Sequence, residues 1–248
     1  MTKLYVKAPV VEVACEFRFE PVDPWDATVP GRVYERLKDR FPLRRATIDF
    51  SASIVAGPDR FEQRLRPTEK IQFLRNDETA LVQVAVNTLT VNQLQPYPGW
   101  ETLRLTIQEV LGEYTLVIPS MAVQRIGLRY INRIPAPEMP LNLEQYFDFY
   151  PHIGAALPDM HTEFFMTLAF PQNLGRDKMR VSLSAEPPSE VEENFINLDI
   201  DYFLDVPGAV PIGSEMDWTE QAHSAVKSTF EGAIKPELRT TFGAEEVP

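Results

Sequence analysis

The chain has 248 residues, of which 44% are hydrophobic and 24% charged, and its formal net charge at pH 7 is −12. These values indicate a globular protein with one large domain or two small ones and a core of substantial size. A strongly acidic chain repels nucleic acid at long range, so a nucleic-acid partner is not expected.

Hydropathy and cysteine content restrict the cellular location of the protein and the kinds of site that it can contain. No apolar run reaches the roughly 18 residues that a membrane span needs, so no membrane partner is expected. The start, MTKLYVKAPVVEV, has no cleavable signal pattern. The single cysteine, Cys15, excludes an internal disulfide and a multi-cysteine zinc site. We therefore expect a cytoplasmic protein with no metal and no cofactor.

The charge is distributed unevenly along the chain. Residues 1–134 contain 18 Lys and Arg against 16 Asp and Glu, a net charge of +2, whereas residues 135–248 contain 6 against 20, a net charge of −14. The basic residues are therefore expected to meet the acidic half of the same chain, or a second copy, rather than a phosphate backbone.

The first predicted elements are a strand and a helix. VVEVACEFRFE at 10–20 alternates apolar and charged residues, which predicts a half-buried strand that buries its odd-numbered side chains, Cys15 among them. A helix is predicted near 33–41, ending at Pro42.

Three strands, a second helix and a further strand follow. The strands are predicted at 46–55, 70–75 and 80–94, the last two as a hairpin, and the helix and final strand at 100–114 and 122–134. The order strand, helix, three strands, helix, strand resembles an elaborated ferredoxin-like βαββαβ unit.

The second half is predicted to be rich in strands. Residues 135–161 carry five prolines and one short helical patch, NLEQYFDFY, and form the predicted connection between halves. Strands are expected at 162–171, 178–187 and 195–206, before a last helix near 217–235. The first of these strands is apolar on both faces and is therefore expected to be central in its sheet.

The predicted fold class is α+β with mostly antiparallel sheets. An elaborated ferredoxin-like first half (1–134) packs on a strand-rich second half (162–248) with a long C-terminal helix. One compact domain overall remains the alternative. Trp100 and Trp218 each begin a helix that follows a set of strands. Two related α+β halves would explain this internal similarity. The alternative is that tryptophan at the start of a helix is simply a favourable residue for anchoring the helix to the core.

Four segments resemble a known family as a set. PVVEVACEFRF, RIGLRYINRI after a helix that begins with tryptophan, NLDIDYF and AHSAVKSTFEGAI occur in this order along the chain. In this the chain resembles, over nearly its whole length, a sporadically distributed family of uncharacterised bacterial proteins of similar length. The resemblance implies an accessory bacterial protein of the kind found among mobile or defence-associated genes. It implies no reaction, cofactor or catalytic residue.

The segment AVQRIGLRYINRI at 122–134 predicts a strand with an arginine-lined face. The candidate residues for an ion-pair network between the halves, or for a site that binds an anion or an acidic peptide, are Arg125, Arg129, Arg133, Asn132, Asp199 and Asp201. If Arg129 lies on a covered face, its replacement by alanine is expected to cost roughly 3–5 kcal/mol. If it lines an open anion site, the cost is expected to stay within about 0.5 kcal/mol. We favour the first.

Catalytic candidates are few. Of the three histidines, His152, His161 and His223, the last lies at the edge of an apolar helix stripe and could be a hydrogen-bonded structural residue or a general base. Asp199 and Asp201 could bind a metal with Glu12 and Glu16, but no other metal-type spacing is present.

Three functions remain open from the sequence. The first is an accessory protein that binds a partner protein, with a homodimer as one form of that binding. The second is a nuclease or other phosphodiester hydrolase that uses His223 and the arginine face, an idea that rests on fold analogy alone. The third is a binder of small anions.

Overall fold

The computed structural model describes residues 2–21, 25–57, 60–119, 122–136, 142–154, 156, 163–185 and 194–247. Within these residues the strands are β1 (Thr2–Tyr5), β2 (Val10–Phe19), β3 (Leu43–Gly57), β4 (Arg60–Leu74), β5 (Ala80–Ala85), β6 (Thr88–Leu94), β7 (Val123–Pro135), β8 (Phe164–Gln172), β9 (Asp177–Ala185), β10 (Phe195–Leu204) and β11 (Ala244–Val247). The α-helices are α1 (Val29–Leu37), α2 (Trp100–Val117), α3 (Leu143–Tyr146), α4 (Glu215–Ala233) and α5 (Pro236–Thr241).

One large antiparallel sheet dominates the described part of the chain. Its nine strands lie in the order β3-β4-β5-β6-β2-β7-β10-β9-β8, while β1 and β11 form a separate two-stranded sheet. The α+β class, the antiparallel sheet and the long C-terminal helix are thereby confirmed. In the described residues, no helix is long and apolar enough to cross a membrane.

The three long helices share one face of the sheet. Phe19 of β2 stacks on Tyr114 of α2, and Tyr130 of β7 hydrogen-bonds with His223 of α4. Odd residues of β2 and even residues of β7 lie on one side of the sheet, since Val13 pairs with Tyr130. Tyr34 of α1 contacts Phe73 of β4. Phe73 lies on the same side of the sheet as Val13, because the register of the pairings from β4 through β5 and β6 to β2 places both side chains on one face. The apolar core therefore lies between this face and the helices.

The predicted alternation of β2 is confirmed, with one irregularity. Val13, Cys15, Phe17 and Phe19 are buried, and Glu12, Glu16 and Arg18 point away from the core. Val11 departs from the pattern because the pairing with β7 shifts register between Val10 and Glu12. Burial also raises the pKa of the Cys15 thiol, which keeps it in the unreactive protonated form.

Several predicted boundaries were wrong. The strand expected at 70–75 is longer, since β4 begins at Arg60. The segment 80–94 is not one strand but the hairpin β5–β6, and Asn87 adopts a left-handed φ of 51° in its two-residue turn. Asparagine tolerates that conformation. Because apolar residues continue on both sides of the turn, the alternation of the sequence does not reveal it. The first helix is shifted toward the N-terminus and begins at Val29, with Pro30 in its first turn as proline favours.

The sheet runs without a break through both predicted halves. β7 pairs with β2 on one side and with β10 on the other. The order of elements also repeats outward from this centre: β6, β5 and β4 beyond β2 correspond to β10, β9 and β8 beyond β7, and a long helix follows β6 and β10 alike. The connection contributes α3, which contains part of the predicted helical patch and packs on α5.

A buried carboxylate fixes the start of α4 to the sheet. Asp177 at the start of β9 is fully buried and accepts hydrogen bonds from Trp218 Nε1 and the Tyr202 hydroxyl, both at 2.9 Å. Asn173 and Arg176 donate to the same carboxylate. Burial alone would raise the pKa of Asp177, but these donors outweigh burial and lower it. The position of Trp218, and with it of α4, therefore depends on an ionised Asp177.

Replacing Asp177 with alanine is expected to lower the free energy of unfolding by about 3 kcal/mol, because several buried donors lose their acceptor. Equilibrium urea unfolding measures the change. The stabilisation should be complete above about pH 4 and should be lost as the pH falls further, through the lowered pKa of the folded state.

Asp205→Ala is the matched control, since Asp205 pairs with Lys178 at 2.9 Å at the surface. It should cost less than about 1 kcal/mol. Equal losses for the two variants would contradict the anchoring role of Asp177.

Candidate functional site

The arginines of β7 meet carboxylates of β10 on the sheet face opposite the helices. Arg129 Nε lies 2.9 Å from Asp199 Oδ1, and its Nη2 contacts Asp199 Oδ2, which makes a two-pronged ion pair between the halves. Arg129 pairs along the sheet with Asp201, which in turn pairs with Arg180 of β9. Basic and acidic side chains thus alternate across three neighbouring strands.

Arg125 joins β2 to the same network. Its Nη1 donates to Glu16 Oε1 at 2.9 Å, and its Nη2 lies 3.9 Å from Asp201 Oδ2. Arg180 Nη1 lies 3.7 Å from Asp201 Oδ2. Burial raises the pKa of Asp201, although Arg125 and the other arginines act in the opposite direction.

Two of the candidate residues do not belong to this network. The guanidinium of Arg133 lies 3.9 Å from the centroid of the Phe195 ring, a cation–π contact. Asn132 is buried on the helix side of β7, and its Nδ2 donates to the carbonyl oxygen of Leu198 at 3.0 Å. The remaining candidates, Arg125, Arg129, Asp199 and Asp201, are brought together.

The arginine face is open rather than covered. The side chain of Arg129 is 50% exposed and that of Asp199 is 22% exposed. The condition for a loss of 3–5 kcal/mol, a desolvated pair, is therefore not met. The sequence predicted the charges and their alternation, but the solvent exposure depends on which sheet face the helices cover.

A cavity of about 1160 Å³ lies on the opposite side of the sheet, between the start of α2 and the middle of α4. Its floor includes Tyr130 of β7 and Ile200 of β10, and the segment before β2 closes one side. His223 and Lys227 line its α4 wall, and Trp100 lines its α2 wall. This is a separate site that the sequence did not predict.

His223 is held between two aromatic residues. Its ring stacks on Trp100 with centroids 4.1 Å apart and an interplanar angle of 5°. Its Nδ1 lies 3.0 Å from the Tyr130 hydroxyl, which is 3.1 Å from the hydroxyl of Tyr97. Burial, and secondarily the charge of Lys227, lower the pKa of His223 to about 4. The ring is therefore neutral at pH 7 and cannot serve there as a proton donor of imidazolium type.

The sheet separates His223 from the arginine face. Tyr130, which contacts His223, and Arg129, which contacts Asp199, are consecutive residues of β7 and point to opposite faces. A single site that uses both His223 and these arginines is thus not formed. Of the other histidines, His152 is exposed and His161 lies outside the described residues.

The acidic candidates for metal binding are engaged elsewhere. Asp199 pairs with Arg129, Glu16 pairs with Arg125 and Arg18, and Glu12 accepts a hydrogen bond from Asn92 Nδ2. In the part of the chain that the structure describes, no three His, Cys, Asp or Glu side chains are grouped as metal ligands would be.

The last strand of the large sheet, β8, carries an exposed apolar surface. Among the described strands it pairs only with β9 and lies at the edge of the sheet. Phe165 is 73% exposed and Leu168 is 49% exposed, and Phe170 and Leu174 are exposed as well. The apolar run in the sequence suggested a central strand, and the structure corrects that expectation. This exposure depends on the position of β8 in the sheet, which the local hydrophobic pattern of the sequence does not predict.

A comparison with models of known protein families finds no match to this chain, and a comparison with curated proteins finds none either. Membership of the sporadic bacterial family therefore stays a prediction from the quoted segments.

Replacing Arg129 with alanine is expected to lower the free energy of unfolding by about 0.5–1 kcal/mol, because an exposed ion pair is weakened by water and salt. Equilibrium urea unfolding of Arg129→Ala, Asp199→Ala and the double variant forms a mutant cycle. The coupling energy should lie below about 1 kcal/mol. A coupling of several kcal/mol would mean that this face is covered in solution.

Proposed function

We propose that the protein acts by binding another protein chain, and that the binding surface is the open edge of β8, on which a second copy adds its own β8. The observation that carries this proposal is the exposure of large apolar side chains along β8, which among the described strands pairs only with β9. An open edge presents backbone donors and acceptors that another strand can satisfy.

Natural sheets protect open edges with charges, prolines or bulges. Strand β8, FFMTLAFPQ, contains no charged side chain, and its one proline, Pro171, lies next to the last residue. Such a strand left in water is a site of uncontrolled association. A specific partner that covers the edge removes this liability and accounts for the exposed phenylalanines.

A second copy fits this edge better than an unrelated strongly charged partner does. Each chain carries a net charge of −12, so two copies repel each other least where a strand without charges lies at the contact. An antiparallel pair centred on Leu168 would place Leu168 against its counterpart and Met166 against Phe170 of the other copy. The pattern is thus complementary to itself, as a twofold interface requires.

The other two functions gain less support. A phosphodiester hydrolase would need His223 and the arginines at one reacting group, but they lie on opposite faces of the sheet. An anion site on the arginine face would need several unpaired arginines, whereas Arg125, Arg129 and Arg180 each have a carboxylate within 4 Å. Arg133 lies over the Phe195 ring and would be a single cation there.

Two finer ideas belong with this proposal. The strand order β7-β2-β6-β5 is the one that a ferredoxin-like βαββαβ unit gives, with the hairpin β3–β4 inserted after α1, and this supports the elaborated ferredoxin-like first half. An accessory role in bacteria, linked to mobile or defence genes, rests on the family resemblance alone.

The wild-type protein is expected to be a dimer at concentrations of tens of micromolar, and Leu168→Lys is expected to convert it to a monomer. A lysine at the centre of β8 would place two like charges against each other in the paired edge. Sedimentation velocity across a concentration series measures both results, and circular dichroism checks that the variant is folded. Phe165→Lys, on the other face of β8, should act in the same direction.

The matched control is Leu116→Lys on α2, since Leu116 is 64% exposed and lies far from β8 in the fold. It should remain a dimer. A wild-type protein that stays monomeric at high concentration, or a dimer that survives both β8 variants, would reject the proposed surface.

A further inference from the structure

The cavity between α2 and α4 contains five charged residues, and four of them have partners. Glu231 accepts hydrogen bonds from Tyr5 and Arg239, at 2.7 and 3.2 Å. Glu220 accepts one from Trp100 Nε1 at 2.9 Å, and Glu101 lies 3.4 Å from Arg104. Arg239 balances the charge of Glu231, and Arg104, just outside the cavity, lies within 4.0 Å of both Glu101 and Glu220. These two cations against three carboxylates leave one net negative charge beside Lys227.

Lys227 is different. Within the described residues its ammonium group has neither an ion pair nor a hydrogen bond, although the side chain is half-buried and lines the cavity. It lies one helical turn beyond His223 on α4, and its charge is felt by the imidazole. A half-buried cation without a partner at a cavity wall is a site for an anionic group.

The hydrogen bonds of His223 determine what its free nitrogen can do. A phenol is a stronger acid than a neutral imidazole, so the favoured bond has the Tyr130 hydroxyl donating to Nδ1, across 3.0 Å. Tyr97 can then donate to the Tyr130 oxygen, across 3.1 Å. The proton of the neutral ring is left on Nε2, which has no protein partner in the described part of the chain. Nε2–H is thus a second donor beside Lys227.

The rest of the cavity is mainly apolar. Its walls include Tyr5, Pro9, Tyr97, Trp100, Ile200, Val226 and Phe230. The volume of about 1160 Å³ is large enough for a small organic molecule and not merely for an inorganic ion.

From these contacts we propose that the cavity binds a small organic anion with an apolar body, whose carboxylate or phosphate group lies against Lys227 and His223 Nε2–H. The apolar body packs between Trp100 and the side chains of the sheet floor. This site is independent of the β8 edge, because it lies on the helix side of the central strands β7 and β10.

The test uses probes that share one body and differ in the head group. Octanoate and octyl phosphate carry the anion, octylammonium carries the opposite charge, and acetate and inorganic phosphate lack the body. Isothermal titration calorimetry at pH 7 should give dissociation constants below about 1 mM for at least one of the octyl anions. Octylammonium, acetate and inorganic phosphate should each bind at least about 10-fold more weakly. The comparison of octanoate with octyl phosphate shows which head group the site prefers.

Variants locate the binding in this cavity. Lys227→Met keeps the length of the side chain and removes the charge, and it should weaken the octyl anion at least about 10-fold. His223→Phe keeps a ring on Trp100 and removes the donor, and it should weaken binding several-fold. Lys38→Met, at an exposed position after α1, is the control and should bind as the wild type does.

Three results would overturn the proposal. One is the absence of binding by either octyl anion, and another is binding of octylammonium as tight as that of the anions. The third is an unchanged affinity in folded Lys227→Met, with folding checked by circular dichroism. The ligand-binding measurements do not depend on whether the protein dimerises through β8. Each proposal can therefore be rejected without rejecting the other.

Discussion

The pairing of β7 with β2 on one side and β10 on the other is the constraint on which the other features of the structure depend. It joins the two predicted halves into one antiparallel sheet. Because consecutive residues of a strand point to opposite faces, it also divides the polar chemistry of the protein in two. Arg129 meets Asp199 on the open face, and Tyr130 meets His223 under the helices.

The two long helices are tied to this sheet through their tryptophans. Trp218 donates its indole N–H to Asp177 within the second half, whereas Trp100 donates to Glu220 and stacks on His223 across the boundary between halves. The second arrangement leaves the cavity open between α2 and α4. The repeated order of strands and helices around β2 and β7 supports the idea of two related halves, in which equivalent tryptophans have acquired different partners.

The sequence was most informative where side chains repeat with a short period. The alternation around Val13 and Phe17 predicted the buried face of β2, and the charges of Arg129 and Asp199 predicted that they would pair. Contacts between distant elements could not be predicted in this way. His223 and Lys227 are visible on one face of α4, but nothing local shows that Trp100 and Tyr130 lie opposite them. Likewise, the apolar run of β8 is the same whether the strand is central or at the edge.

The central claim is that one sheet makes the two halves a single cooperative unit. It can be tested by urea unfolding with one tryptophan reporter in each half. Trp100→Phe/Trp218→Phe leaves the partly buried Trp25 as the reporter of the first half, and Trp25→Phe/Trp100→Phe leaves Trp218 for the second. Unfolding of each variant is also followed by far-UV circular dichroism. Because both signals come from the same variant, any effect of its substitutions on stability is the same in both. The account predicts that in each variant the fluorescence and circular dichroism transitions coincide, with the same midpoint and slope. Transitions that separate, with one half unfolding before the other, would contradict it.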